Sequence, residues 1–343
     1  MALKMLISLV ITVVVFFAIA LGLIFSDRPE AADNGTNSGI DLGKAKDTDY
    51  SDLPPSRHFQ ARDGTPLTYR IYQSAIPTDR LIILVHGSAW HGMQFHHLAQ
   101  ALSARGLGTI VAPDMRGHGA APVRRGDVDY IGQLEDDMAD LIGHLKTEPK
   151  DRQIMPQIIL GGHSSGGGFV VRFAGGDYGG EVDGFILLAP FLKYNAPTTR
   201  ANAGGWARPA TRRFAGLAML NRVLITALNH LPVISFAMPR WVLDGPYGHT
   251  ATTLYSYRMN AAFAPRANYE SDLASITQPL LVIAGAADES FFAHMYEVVI
   301  SEQTATGRYH ILPSVNHMGV VDDPATLSII DDWLTSAVGP RDP

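Results

Sequence analysis

The chain has 343 residues, with 27 Lys and Arg against 33 Asp and Glu, a formal net charge of −6. Binding nucleic acid through its phosphates calls for a basic balance or stripe, and the sequence has neither. Hydrophobic residues make up 46% and charged residues 17%, which excludes disorder of the whole chain, and the absence of Cys excludes disulfides, thiolate metal sites, iron–sulfur clusters and a Cys nucleophile.

Met5 to Phe25 is an uncharged apolar run of 21 residues, closed by Asp27, Arg28 and Pro29. As a helix it would be about 31 Å long, matching the roughly 30 Å hydrocarbon core of a bilayer. Residues 1–26 therefore read as a transmembrane signal anchor. Ala18-Ile19-Ala20 also resembles a cleavage site, so secretion after removal of a signal peptide is the rival reading. The run is longer than an ordinary signal-peptide core and continues through Leu21–Phe25, which favours the anchor. Lys4 and the α-amino group precede it and only Arg28 closely follows, which puts the rest of the chain outside the cytoplasm, periplasmic or extracellular. Residues 27–55 are polar, end at Pro54-Pro55 and read as a flexible tether.

From residue 56 strand and helix signals alternate, as in an α/β domain reaching residue 338. His58–Arg62 and Leu67–Tyr72 flank Asp63-Gly64, a hairpin signal. Leu81–His86 is an unbroken apolar run, expected of a central strand covered on both faces. A helix over Phe95–Arg105 and a strand over Gly108–Pro113 follow. Tyr130–Lys146 has helical spacing, with Glu135, Asp136, Asp137 and Asp140 expected on a solvated face. Gln157–Gly162 reads as a buried strand and Ser165–Ala174 as a helix. Phe185–Ala189, Leu280–Ala284 and Arg308–Leu312 read as further strands, and Pro324–Ala337 as a closing helix. Between them, 191–272 breaks the alternation with apolar, aromatic clusters of helical spacing, such as Leu217–Leu231, and reads as a helical lid.

Gly162-His163-Ser164-Ser165-Gly166 matches G-x-S-x-G directly between a strand and a helix. A nucleophilic serine there projects from a sharp turn, and the glycines let the backbones approach. Ser165 has His163 two residues before it, too bulky for that turn, so Ser164 is the candidate nucleophile. His86-Gly87-Ser88 ends the central strand; the backbone N–H groups of Ser88 and Ser165 are the candidate oxyanion donors, each worth roughly 2.7–4 kcal/mol in a transition state. His86 itself reads as a structural hydrogen-bonding residue. A base and an orienting acid should follow on loops after later strands, in the order Ser, Asp, His. Asp288 and His317 meet that requirement; Asp322 and Asp323 read as N-capping residues of the last helix, and Asp244 lies off the strand ends. His91, His96 and His97 have no nearby acidic partner in sequence and no H-E-x-x-H spacing, so no metal is expected, and His96 and His97 should begin a helix beside the pocket mouth. No cofactor is called for.

On LIILVHGSAWHG, APDMRGHG, GGHSSGGG, LLVIAGAADE and SVNHMG, residues 56–338 resemble the α/β-hydrolase superfamily, within it the monoacylglycerol lipase, lysophospholipase and serine aminopeptidase branch. The resemblance implies an eight-stranded, mostly parallel sheet with a lid after the sixth strand, Ser164 as nucleophile, Asp288 as acid, His317 as base, and a structural role for the loop Asp114–Gly119. The function this implies is hydrolysis of a carboxylic ester of a lipid-like or small apolar alcohol. Trp206 and Trp241 of the lid are candidate substrate contacts. An aminopeptidase or amidase using the same triad, and an inactive binding protein on the same fold, are the competing readings.

Overall fold

The computed structural model describes residues 1–30, 39–43, 48–148 and 155–339. Eight strands form one sheet in the order β1-β2-β4-β3-β5-β6-β10-β11. The hairpin β1 (Arg57–Gln60) and β2 (Pro66–Tyr72) is antiparallel, and β2 also meets β4 (Thr109–Pro113) antiparallel. From β4 onward every pairing is parallel, through β3 (Arg80–Val85), β5 (Gln157–His163), β6 (Gly184–Leu188), β10 (Leu280–Gly285) and β11 (Gly307–Leu312). This is the eight-stranded, mostly parallel sheet that the resemblance implies.

Chemistry explains the order. The central strands β4, β5, β6 and β10 are buried at every position and β3 at all but its first, because helices cover both faces and no side of these strands meets water. The edge strand β11 alternates and carries Arg308, His310 and an exposed Ile311. Asp63-Gly64 makes the first turn, with Gly64 at φ +82°. Parallel strands all end on the same side of the sheet, so the loops after β3, β5, β10 and β11 gather there, and those loops carry the candidate chemistry.

Two expectations need correction. The segment Leu217–Leu231 is not one helix: the helix Thr211–Arg222 ends there, Leu224 takes φ +62°, and Pro232 opens a strand. That strand, β8 (Pro232–Phe236), lies between β7 (Ala207–Pro209) and β9 (Leu254–Ser256) in a second, antiparallel sheet. The insert is therefore mixed, not purely helical; the short strands have no periodicity to betray them. Second, the acidic run of the helix Gln133–Thr147 is only half solvated. Asp136 and Asp140 pair with Arg62 near the surface, but Glu135 and Asp137 are buried. Asp137 takes a two-pronged contact from Arg116, at 2.7 Å for each prong, and burial still pushes its carboxyl up to about 6 against that partner. Glu135 sits between Arg172 at 2.6 Å and Arg266 at 2.5 Å. The partners come from distant parts of the chain, so spacing could not reveal them.

Removing Glu135 leaves the buried Arg172 guanidinium without its carboxylate. Glu135→Ala should cost about 3–5 kcal/mol of stability, read as a drop in the urea midpoint with the m-value unchanged.

Candidate active site

Ser164 stands between β5 and the helix Ser165–Ala174 with φ 55° and ψ −120°. A non-glycine residue at positive φ is strained, of order 1–3 kcal/mol. Three backbone hydrogen bonds hold it: its N–H donates to Leu188 at 2.9 Å, and its carbonyl accepts from Gly168 at 3.0 Å and Phe191 at 2.9 Å. The flanking glycines have no room for a side chain. A Cβ on Gly162 would lie 2.4 Å from the Gly166 backbone, and one on Gly166 would lie 2.2 Å from the Val85 carbonyl.

Asp288 and His317 are buried in the loops after β10 and β11. His317 Nδ1 lies 2.8 Å from Asp288 Oδ2. A carboxylate only accepts, so Nδ1 carries the proton and Nε2 is left to face a substrate. Asp288 Oδ1 accepts the N–H groups of Ser290 at 2.7 Å and Phe291 at 2.9 Å. Burial works against its charge, but the His317 imidazole and these two amides outweigh it and hold the carboxyl below its ordinary range. Ser164 and His317 open on the same small cavity, about 20 Å³, with Gly87, Ser88 and Trp206. Ser164, Ser165 and Ser88 also line a second cavity of about 70 Å³, whose other walls include Phe191, Ile234, Phe236, Phe263 and Phe291. The structure thus brings together all five residues singled out in the sequence for catalysis and oxyanion binding. A larger cavity of about 420 Å³ beside β2 shares no lining residue with either.

Of the two tryptophans, Trp206 lines both cavities and donates Nε1–H to Ser88 Oγ at 3.0 Å. Trp241 is 41% exposed and lines neither; its place in a short helix of the insert turns it to solvent. Sequence reasoning missed three residues that set the geometry. Gln94 accepts the Gly87 N–H at 3.0 Å and donates to His163 Nδ1 at 2.6 Å, and His163 Nε2–H donates to the His317 carbonyl at 3.0 Å. Tyr255, from β9, accepts the Ala89 N–H at 2.8 Å and donates to His118 at 2.5 Å. His86 is a structural acceptor, taking the Met115 N–H at 3.1 Å, and Asp114 caps the Gly92 amide at 2.8 Å. Asp323 caps the last helix.

The tether reading also needs correction. Residues 31–38 and 44–47 lie outside the described residues, but Gly39–Gly43 form a strap across the site. Ile40 and Leu42 are buried and line the cavity shared by Ser164 and His317. Glu289 joins strap to site: Oε1 accepts the Asp41 N–H at 3.1 Å and Oε2 the His317 N–H at 2.9 Å. Gly39, at φ +71°, runs so close to Gly204 and Trp206 that a Cβ would lie 2.4 Å from a carbonyl. His96 likewise has an acidic partner that sequence distance hid, Asp52 at 2.9 Å.

Residues 76–323 match the family described as serine aminopeptidase, S33. The chain belongs to that family. Over 132 residues it is 32% identical to a monoacylglycerol lipase of Mycolicibacterium smegmatis, covering 38% of this chain and 45% of that protein. Over 177 residues it is 26% identical to protein phosphatase methylesterase 1 of Bos taurus, covering 49% and 45%. The chain thus spans about half the length of the curated relatives it matches. A soluble variant of monoglyceride lipase from Saccharomyces cerevisiae has the same α/β-hydrolase fold, with a TM-score of 0.63 at 16% identity over 84% of this chain and 97% of that one.

Burial pushes His163 and His91 down to about 3, and lowers His86 and His118 as well. The unfolded chain protonates these rings near pH 6.5, which the folded chain refuses, so stability should fall as pH drops from about 6.5 towards 3. A urea midpoint that stays constant between pH 7 and about pH 4.5 would contradict this. The strap makes a separate forecast: Ile40→Ser with Leu42→Ser should raise kcat/KM for a short soluble ester, and an unchanged value would mean that the strap is no barrier.

Proposed function

We propose that the chain is a serine ester hydrolase acting on an acyl ester of a lipid-like or small apolar alcohol. The observation that carries this is the cavity at Ser164: a strained, projecting serine at the mouth of a space walled by Phe191, Ile234, Phe236, Phe263 and Phe291. Ser164 Oγ attacks the ester carbonyl while His317 Nε2 takes its proton. The oxyanion is held by the N–H groups of Ser88 and Ser165, and Asp288 keeps the imidazolium oriented. Collapse expels the alcohol, protonated by His317, and leaves an acyl-enzyme. Water, deprotonated by His317, then releases the acid and restores Ser164.

Among the described residues no carboxylate lines either cavity at Ser164. A free α-amine would need one, which favours the ester over the aminopeptidase reading despite the family's description. The aligned Asp288 and His317 beside Ser164 also leave little purpose for an inactive binding protein.

We further read α1 (Ala2–Phe25) as an uncleaved membrane anchor, with the catalytic domain outside the cytoplasm. Ala20, the last residue of the cleavage-like triplet, is fully buried against the insert, as is Ile24, contacts that a removed signal peptide would not need.

Ser164→Ala and His317→Ala should each lower kcat by as much as roughly 10⁶-fold, with Asp288→Asn milder. A fluorophosphonate should label Ser164 and spare the Ala variant; labelling that persists points to Ser165 instead. Across acetyl, butyryl and octanoyl esters kcat/KM should climb by about fourfold per methylene until the cavity is full. A flat profile, unaffected by Trp206→Ala, would remove the support for an apolar acyl site.

A further inference from the structure

α1 does not project freely. Residues 1–15 are exposed, but Phe16, Phe17, Ala20, Leu23, Ile24 and, just beyond the helix, Asp27 are partly or fully buried, a single stripe at helical spacing. The stripe packs on the insert helix Thr211–Arg222, and the two run antiparallel. At one end the Arg212 N–H donates to Asp27 at 2.9 Å and Arg213 Nε donates to the Ile24 carbonyl at 3.0 Å. One turn on, Gly216 lies against α1 so closely that a Cβ would come within 2.5 Å of the Ala20 carbonyl. Small residues at such a crossing are how helices approach within a bilayer.

From Gly216 to Arg222, where the helix ends, the chain advances six residues, about 9 Å along the helix. Because α1 runs the other way, this carries Val223-Leu224-Ile225, just past the helix end, to about the level of its residues 14–16, roughly 15 Å inside the end of the apolar run. All three are exposed, Leu224 most of all at 89%, with φ +62°. A polar turn in water would place Gly or Asn at that φ. The tip is also closed on itself. The N–H groups of Val223, Leu224 and Ile225 donate to Leu220, Asn221 and Leu220. Below them Asn221 and Asn229 form a reciprocal amide pair at 2.7 and 2.8 Å. A turn whose three N–H groups are paired within itself, and whose exposed side chains are apolar, suits hydrocarbon better than water. Arg222, beside the tip, can turn its guanidinium back in the headgroup direction while its apolar stem stays in hydrocarbon.

We propose that Val223-Leu224-Ile225 is a second membrane-inserting element, seated among phospholipid acyl chains beside α1. The proposal rests on reading α1 as an uncleaved anchor. Together the two helices would fix the insert on the bilayer. The insert's next strand, β8, begins at Pro232, whose carbonyl accepts Arg213 at 2.9 Å, and continues to Ile234 and Phe236 in the cavity at Ser164. A lipid ester in the leaflet would thus lie against the same element that lines the acyl cavity.

The chain has no Cys, so single thiols can be introduced without background. Full-length Leu224→Cys, Val14→Cys and Gly180→Cys are labelled with an environment-sensitive fluorophore and reconstituted in phosphatidylcholine vesicles. Gly180 precedes β6, at the end of the sheet away from Ser164, with open space where a side chain would go. Labels at 14 and 224 should be quenched by nitroxide-bearing lipids and spared by aqueous dithionite, and the label at 180 should do the reverse. A label at 224 that dithionite destroys, with 14 protected, overturns the proposal and leaves the anchor standing. Protection at 224 without lipid quenching means that protein, a second copy or another chain, covers the tip, and overturns the lipid as its occupant. If 14 is itself exposed to dithionite, the anchor reading fails and takes the proposal with it.

Discussion

The site depends on holding one serine in a backbone conformation that it does not favour. Ser164 at φ 55° reverses the chain between β5 and its helix, and this is what lifts the hydroxyl above the sheet. The strain persists because the surroundings over-determine it. β5 is flanked by β3 and β6, whose carbonyls at Val85 and Leu188 press on Gly166 and bind the Ser164 amide. Neither flanking glycine could carry a methyl group without moving backbone. The central strands therefore do more than form a core: their register fixes where Ser164 stands.

Around that turn, polar residues join loops that the sheet alone would leave independent. Gln94 and His163 connect the Gly87 amide to the His317 carbonyl, so the loops after β3 and β11 are linked through two side chains. His163 performs this as a neutral ring, which its deep burial enforces. From the other side the insert reaches in with Trp206 on the Ser88 hydroxyl and Tyr255 on the Ala89 amide. The insert is thus part of the scaffold around Ser164, and movement there would be felt at the loop after β3.

The N-terminal residues touch the same apparatus at two places. α1 docks on the insert helix at Gly216, and the strap Gly39–Gly43 lies over the cavity that Ser164 and His317 share. Contact with the insert and cover over Ser164 thus both come from residues near the start of the chain. Cavities of about 20 and 70 Å³ accommodate only small groups in this arrangement, so a long acyl chain requires the strap or the insert to move.

Much of this was legible in the residues. The continuous apolar runs at Leu81–His86 and Gln157–Gly162 announce strands covered on both faces, and G-x-S-x-G between strand and helix marks Ser164 by local sterics alone. Asp288 and His317 could be selected because chain order and strand ends constrain where an acid and a base can stand. What depends on packing between distant segments was not legible. The burial of Glu135 and Asp137, the partnership of His96 with Asp52, the three short strands of the insert and the separation of Trp206 from Trp241 all turn on neighbours far away in sequence. The polar segment 27–55 read as a tether because composition measures only average apolarity, whereas two residues, Ile40 and Leu42, suffice to cover a small cavity. By itself the sequence determined the strands of the main sheet and singled out Ser164, Asp288 and His317 as candidates, since these follow from periodicity, chain order and local geometry. Only the tertiary structure decided what covers them, because burial is a property of surfaces that meet after the chain has folded.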